Sequence, residues 1–173
     1  MREQGVPAKA LLIGEGPERA AIEREVIRLA LRGHVAITGF KADVRPYVGC
    51  CDAMVLVSRS EGFSLAALEA MALGKPMVMG EVGGASEQIV HGEHGFLYPV
   101  GDTAALARHL AALAEPRLRR KMGDAAAARV RERFTMKAMV AEYERRLLGL
   151  YRGSEPRRTR ARSRRRMRST PTQ

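Results

Sequence analysis

The sequence predicts an α/β fold, a parallel sheet with helices on both faces. Two observations carry this. Short apolar runs at 10–13, 35–38, 54–57, 77–79 and 95–98 alternate with helical segments along the chain, and strands alternating with helices imply βαβ units. Glycine-containing loops at 14–16, 39–41, 58–64 and 80–84 all fall on one side of the strand–helix alternation. In such sheets ligands bind at the carboxyl ends of the strands, so those loops mark the functional edge.

The elements follow in order. The run at 10–13 (ALLI) reads as a strand, and Gly14-Glu15-Gly16-Pro17 as its turn. Residues 17–32 place Ile22, Val26, Leu29 and Ala30 at helical spacing, with Gly33 as the stop. The run at 35–38 is the second strand and ends in Gly39-Phe40. Asp43 caps a short helix through Cys50, with Pro46 tolerated in its first turn. The third strand, 54–57, leads into the stretch 58–76, SRSEGFSLAALEAMALGKP. Strands at 77–79 and 95–98 flank a short helix at 86–90. Asp102 caps a helix carrying Leu106, Leu110 and Leu113, Pro116 opens another, and 135–151 forms the last.

The stretch 58–76 organises the rest. Its helix, 65–73, stops at Gly74 with Pro76 just beyond. Apart from Glu69 the helix has no polar residue, which predicts burial all round, with Glu69 as a buried carboxylate that must be neutral, paired or used. The helix N-terminus presents free N–H groups from about Phe63 to Leu65 together with a partial positive charge, a site suited to phosphate. Gly62 allows a ligand close to the backbone. Glu69, a turn into the helix, can accept hydrogen bonds from vicinal hydroxyls, and Glu61 in the loop can serve a second polyol. Phosphate between two polyols describes a nucleotide sugar.

Glu61-Gly62-Phe63, Leu68-Glu69-Ala70-Met71-Ala72 and Gly74-Lys75-Pro76 resemble the signature of the retaining GT-B glycosyltransferases of the large group 1 family (family 4), including its Glu–x7–Glu spacing. The resemblance extends over most of residues 10–151: the strand and turn Leu12 to Pro17, Thr38-Gly39-Phe40, Val82-Gly83-Gly84, Glu87 to Val90, Gly95-Phe96-Leu97 and Gly101-Asp102 also match. It implies a Rossmann-like domain, the C-terminal half of a GT-B fold, that binds a nucleotide-diphosphate sugar and takes part in transferring the sugar to a hydroxyl of a glycan or lipid-linked glycan with retained configuration. By the same resemblance Glu61 is the catalytic carboxylate at the donor sugar and Glu69 holds the ribose hydroxyls. The amides around Gly62, Phe63, Ser64 and Leu65 receive the diphosphate, Gly14 and Gly16 shape the neighbouring turn, and Phe40 and Lys41 flank the base. No cofactor and no metal are implied, because helix-terminal amides and basic side chains stabilise the leaving group. Lys75, at the C-terminal end of the helix, reads as a dipole partner or solvated cation rather than a phosphate ligand.

The family's N-terminal domain is not among these residues. Nor is the central opening strand with its following Arg and Lys, which should precede Ala10. The expectation is an N-terminally truncated donor domain at 1–151, with a gap in the sheet between the strands at 10–13 and 54–57 and no turnover by itself.

Composition bounds the rest. The chain has 173 residues, 46% of them hydrophobic, enough for one globular core. No run approaches 18 apolar residues, and the first residues have too short an apolar run for a secretory signal, so a cytoplasmic location is expected. Cys50 and Cys51 are adjacent, with Cα atoms about 3.8 Å apart, too close for a normal bridge. They read as small buried thiols. His91 and His94 read as exposed turn residues rather than ligands.

The net charge of +11 is concentrated at the end, where residues 152–173 hold nine Arg against one acid. That segment is expected to be disordered. It suits peripheral contact with an anionic membrane, where each basic residue contributes about 1 kcal/mol, or salt-sensitive contact with nucleic acid. No aromatic residue interleaves its arginines, which argues against base stacking. A solvated appendage fits equally. The alternative to a glycosyltransferase domain is therefore a non-catalytic basic module acting through this segment.

Overall fold

The computed structural model describes residues 6–153. Five strands and seven helices lie among them, alternating as far as the fifth helix: β1 (Ala10–Leu12), α1 (Arg19–Arg28), β2 (Val35–Ile37), α2 (Arg45–Gly49), β3 (Met54–Leu56), α3 (Leu65–Ala72), β4 (Met77–Gly80), α4 (Ala85–Gln88), β5 (Gly95–Tyr98), α5 (Thr103–Ala112), α6 (Pro116–Arg133) and α7 (Met136–Gly153). Every ladder is parallel. The predicted arginine-rich segment lies outside the described residues, save for the last turn of α7.

The strands form two sheets rather than one. β1 pairs with β2, aligning Leu11 with Ala36, while β3, β4 and β5 form a second sheet in that order. The break falls between β1 and β3, at the place where the sequence reading put a gap. Its consequence shows in burial. Met54, Val55 and Leu56 are only half-buried although they form an unbroken apolar run, because β3 pairs on its β4 side alone.

β4 is the centre. All four of its residues are buried, and its alternation divides the core in two. Met77 and Met79 join Val48, Ala67, Ala70, Met71, Ala85, Ile89 and Ala126 on one face. Val78 joins Tyr98, Ala105, Leu113 and Met122 on the other.

Two sequence expectations about burial are corrected here. α3 is not buried all round. Ala67, Ala70 and Met71 are covered, while Leu65 and Leu73 are exposed. The reason is one-sided packing, with α6, β3 and β4 covering a single face. α1, read as a helix over 17–32, spans only 19–28 and has no buried residue, because its apolar stripe has just two strands beneath it.

Caps behave as their chemistry dictates. The Asp102 carboxylate accepts from the Ala105 N–H at 2.8 Å, and Glu115 caps α6 ahead of Pro116. Asp43 is not the N-cap of α2, which is Val44, but stands one residue before it, accepting from the Arg45 N–H at 3.0 Å and pairing with its guanidinium. α3 ends in a Schellman turn: the Gly74 N–H donates to Met71 O and the Lys75 N–H to Ala70 O, with Gly74 at φ +70°.

α7 is an 18-residue helix with Met136, Met139, Val140, Tyr143, Leu147 and Leu150 exposed. No described helix is long and apolar enough to cross a membrane.

Candidate active site

The turn before α3 and the turn before α4 lie against each other. The Gly84 N–H donates to the Gly62 carbonyl at 3.0 Å. A Cβ on Gly83 would stand 1.8 Å from Glu61 O, and one on Gly84 2.3 Å from Gly62 O. Only glycines permit so close an approach, and Gly83 also holds φ +42°. Loops 58–64 and 80–84 thus form one edge, as the strand-end argument required.

Ser64 is the N-cap of α3. Its hydroxyl accepts from the Ala67 N–H, and the residue is 6% exposed. The expected row of free amides is altered at this position. The Ser64 N–H points inward to Gln88 Oε1 at 3.0 Å, so it does not face a ligand. Among the described residues, the N–H groups of Phe63, Leu65 and Ala66 have no acceptor. Three donors at a helix N-terminus have the chemistry to receive an anion.

The two glutamates stand in different settings. Glu61 is half-buried and accepts from the Ser58 hydroxyl at 2.9 Å, which fixes its carboxylate at the loop. Glu69 is exposed, which corrects the expectation of a buried carboxylate. It lies three and four residues after Ala66 and Leu65, on the same open face of α3, where Leu65 is 72% exposed. Exposure makes Glu69 a ready acceptor for hydroxyls rather than an isolated buried charge.

The remaining predicted site residues form a second group. The exposed Gly14 donates its N–H to Gly39 O at 3.0 Å, which joins the turn at 14–16 to the loop at 39–41. Gly16 is exposed and its carbonyl accepts from the Arg19 N–H. Phe40 projects into solvent at 76% exposure, and the Lys41 ammonium sits over the Tyr47 ring at 5.4 Å.

Lys75 is elsewhere. Its ammonium donates to Gly49 O at 2.7 Å, at the far end of α3. At about 1.5 Å per residue an eight-residue helix puts it about 12 Å from the site. Two minor readings also change. Cys50 is exposed and Cys51 half-buried, both thiols donating to Tyr47 O. His94 is buried and its Nδ1 accepts from the Val90 N–H, while His91 is exposed.

Several residues brace the site from outside the stretch 58–76. Gln88 holds Ser64, and Phe134 meets the Phe63 ring edge-on at 5.3 Å. Arg129 lies over Phe134 and donates to the carbonyls of Glu87 and Gln88 at 2.7 Å. Gln88 falls within the stretch Glu87 to Val90 that resembles the family pattern, but that resemblance gave it no contact or role.

The match of the family model described as glycosyl transferases group 1 to residues 1–116 decides the relationship. The chain belongs to the group 1 glycosyltransferases. It is similar to the N-acetyl-alpha-D-glucosaminyl L-malate synthase of Bacillus anthracis, with 39% identity over 140 residues, covering 80% of this chain and 37% of the relative. It is also similar to the D-rhamnosyltransferase WbpZ of Pseudomonas aeruginosa, with 35% identity over 139 residues, 76% of this chain and 36% of the relative. The structure of Alr3699/HepE from Anabaena in complex with UDP superimposes with a TM-score of 0.75 at 28% identity, over 82% of this chain and 41% of that one. The chain thus spans about two fifths of the length of these relatives. Its fold is that of the C-terminal domain of a GT-B glycosyltransferase.

Proposed function

We propose that this domain is the donor half of a retaining glycosyltransferase. It binds a nucleotide-diphosphate sugar, and the sugar passes to a hydroxyl of a glycan or lipid-linked glycan. The observation that carries this reading is the trio of unpaired N–H groups on Phe63, Leu65 and Ala66, set between the carboxylates of Glu61 and Glu69. The amides and the positive end of α3 take the diphosphate and stabilise its charge as the glycosidic bond breaks. Glu69 accepts from the ribose hydroxyls. Glu61, oriented by Ser58, faces the donor sugar. Phe40 and Lys41 flank the base. No metal is required, because the amides supply the countercharge. Alr3699/HepE has been crystallised with UDP and with UDP-glucose, which supports a nucleotide-sugar donor.

In the GT-B architecture the acceptor is met mainly by the other, N-terminal domain, so donor binding is the task assigned to these residues. The nine arginines of 152–173 suit a cytoplasmic protein held at an anionic membrane where lipid-linked acceptors reside.

The test compares a ribonucleoside diphosphate with its 2′-deoxy analogue, titrated against the wild type and Glu69→Ala. The reading expects the deoxy analogue to bind about tenfold more weakly to wild type, the worth of one hydrogen bond to a charged acceptor, and expects that difference to vanish in Glu69→Ala. Equal binding of both nucleotides by the wild type would remove Glu69 from the ribose.

A further inference from the structure

Gln88 is 1% exposed, yet its amide has two N–H donors and a carbonyl to satisfy. It spends both ends on a single residue. Oε1 accepts from the Ser64 N–H at 3.0 Å, and Nε2 donates to the Ser64 carbonyl at 2.8 Å. A planar side chain that grips the backbone N–H and C=O of one residue fixes the position and the rotation of that peptide. Ser64 is no ordinary residue for this purpose, because it caps α3 and stands between the free N–H groups of Phe63 and Leu65.

Gln88 is itself held. The Arg129 guanidinium reaches across from α6 with Nε on Gln88 O and Nη2 on Glu87 O, both at 2.7 Å. The same Arg129 lies over Phe134, whose ring abuts Phe63. A chain of contacts therefore runs from α6 through α4 to the turn that opens α3.

We infer that Gln88 is a positioning residue for the diphosphate. By turning the Ser64 N–H inward, its amide aims the neighbouring N–H groups of Phe63, Leu65 and Ala66 outward at the ligand. This inference rests on the donor-site reading above. It assigns to Gln88 a role in ligand affinity separate from its share in stability.

Two variants divide these roles. Gln88→Leu keeps the volume and removes both hydrogen bonds. Gln88→Glu is the sharper probe. An ionised carboxylate accepts from the Ser64 N–H but faces the Ser64 carbonyl with negative charge. A protonated one donates its O–H to that carbonyl while its other oxygen accepts, which restores the glutamine pattern. Burial raises the pKa of such a carboxyl and Arg129 opposes the rise, so the change is read by moving from about pH 8 to about pH 5.

The experiment measures the affinity of wild type, Gln88→Leu and Gln88→Glu for UDP, GDP and ADP by calorimetric titration. Each variant is compared with wild type at the same pH and at a temperature below its own unfolding. For whichever nucleotide binds, Gln88→Leu is expected to bind about tenfold more weakly at both pH values, and Gln88→Glu about tenfold more weakly at high pH with recovery to within about twofold at low pH. Affinities equal to wild type, or a Gln88→Glu deficit that acid does not restore, overturn the inference and leave the donor site standing. A wild type that binds none of the three nucleotides overturns the donor-site reading instead.

Discussion

Replacing Gly123 by alanine tests how α3 is held. Gly123 lies on α6 where that helix crosses the C-terminal turn of α3. A Cβ built there would stand 2.1 Å from Gly74 O and 3.0 Å from Gly74 C. The nearer contact is about 1.3 Å short of ordinary van der Waals distance, and the obstacle is backbone. The Gly74 carbonyl belongs to the Schellman turn, whose two hydrogen bonds to Met71 and Ala70 keep it from swinging away. Relief must come from separating α6 and α3, which opens a gap at Ala70, Met71 and Ala126, all fully buried. Overpacking of this kind costs about 3 kcal/mol, and the better helix propensity of alanine returns about 1 kcal/mol. A net loss of about 2 kcal/mol lowers Tm by roughly 6–8 °C for a domain of this size. The assay is thermal unfolding followed by circular dichroism, with Gly149→Ala on α7 as control. A Cβ there meets nothing within 4 Å, so the same substitution should leave Tm unchanged or raise it. A Gly123→Ala chain that melts within about a degree of wild type would refute the packing argument.

Two further outcomes follow from the same contacts. Gly84→Ala places a Cβ 2.3 Å from the Gly62 carbonyl and displaces the turn that carries Glu61 and Phe63. Nucleotide affinity should fall at least about tenfold, since misplacement near 1 Å weakens an organised site that much, and unchanged affinity in calorimetric titration would contradict the geometry. His94 and His109 both have pKa values pushed down by burial; at His94 the Glu93 carboxylate opposes that shift and the charge on Arg129 adds to it. A depressed histidine favours the neutral native state, so its contribution is present above the unfolded pKa of about 6.5 and is lost as the pH falls below it. Denaturant unfolding should show stability dropping as pH falls from 7 through this range, with a shallower drop in His94→Asn, which keeps an acceptor for the Val90 N–H. An identical slope in that variant would remove His94 as a source.

The fold was legible because its signals are local. Gly74 and Pro76 end α3, Asp102 caps α5, and the run at 77–80 is buried on both faces as an unbroken apolar strand should be. The motif at 58–76 marked the candidate site loop for the same reason, since one continuous stretch supplies strand, turn and helix. What the sequence hid depends on partners far along the chain. Glu69 reads as buried because its neighbours in α3 are apolar, yet one side of that helix has nothing packed on it. Ser64 reads as a ligand amide until Gln88, twenty-four residues later, is seen to occupy it. Arg129 and Phe134 have no periodicity or spacing that sets them apart, Gln88 is marked only by the resemblance at 87–90, and it is their convergence on one turn that gives them meaning. His94 shows the reverse error: a histidine between glycines in a turn reads as exposed, but it is buried and its Nδ1 accepts from the Val90 N–H.

The central claim is that the N-terminal turn of α3 binds a nucleoside diphosphate. Thermal unfolding of the 173-residue chain with millimolar UDP, GDP or ADP tests it most directly. Ligand at a hundred times its Kd stabilises a folded site by about 2.7 kcal/mol. The account predicts a cooperative melt raised by one of the three nucleotides and a smaller shift, or none, in Glu69→Ala. A melt that none of them moves would contradict it.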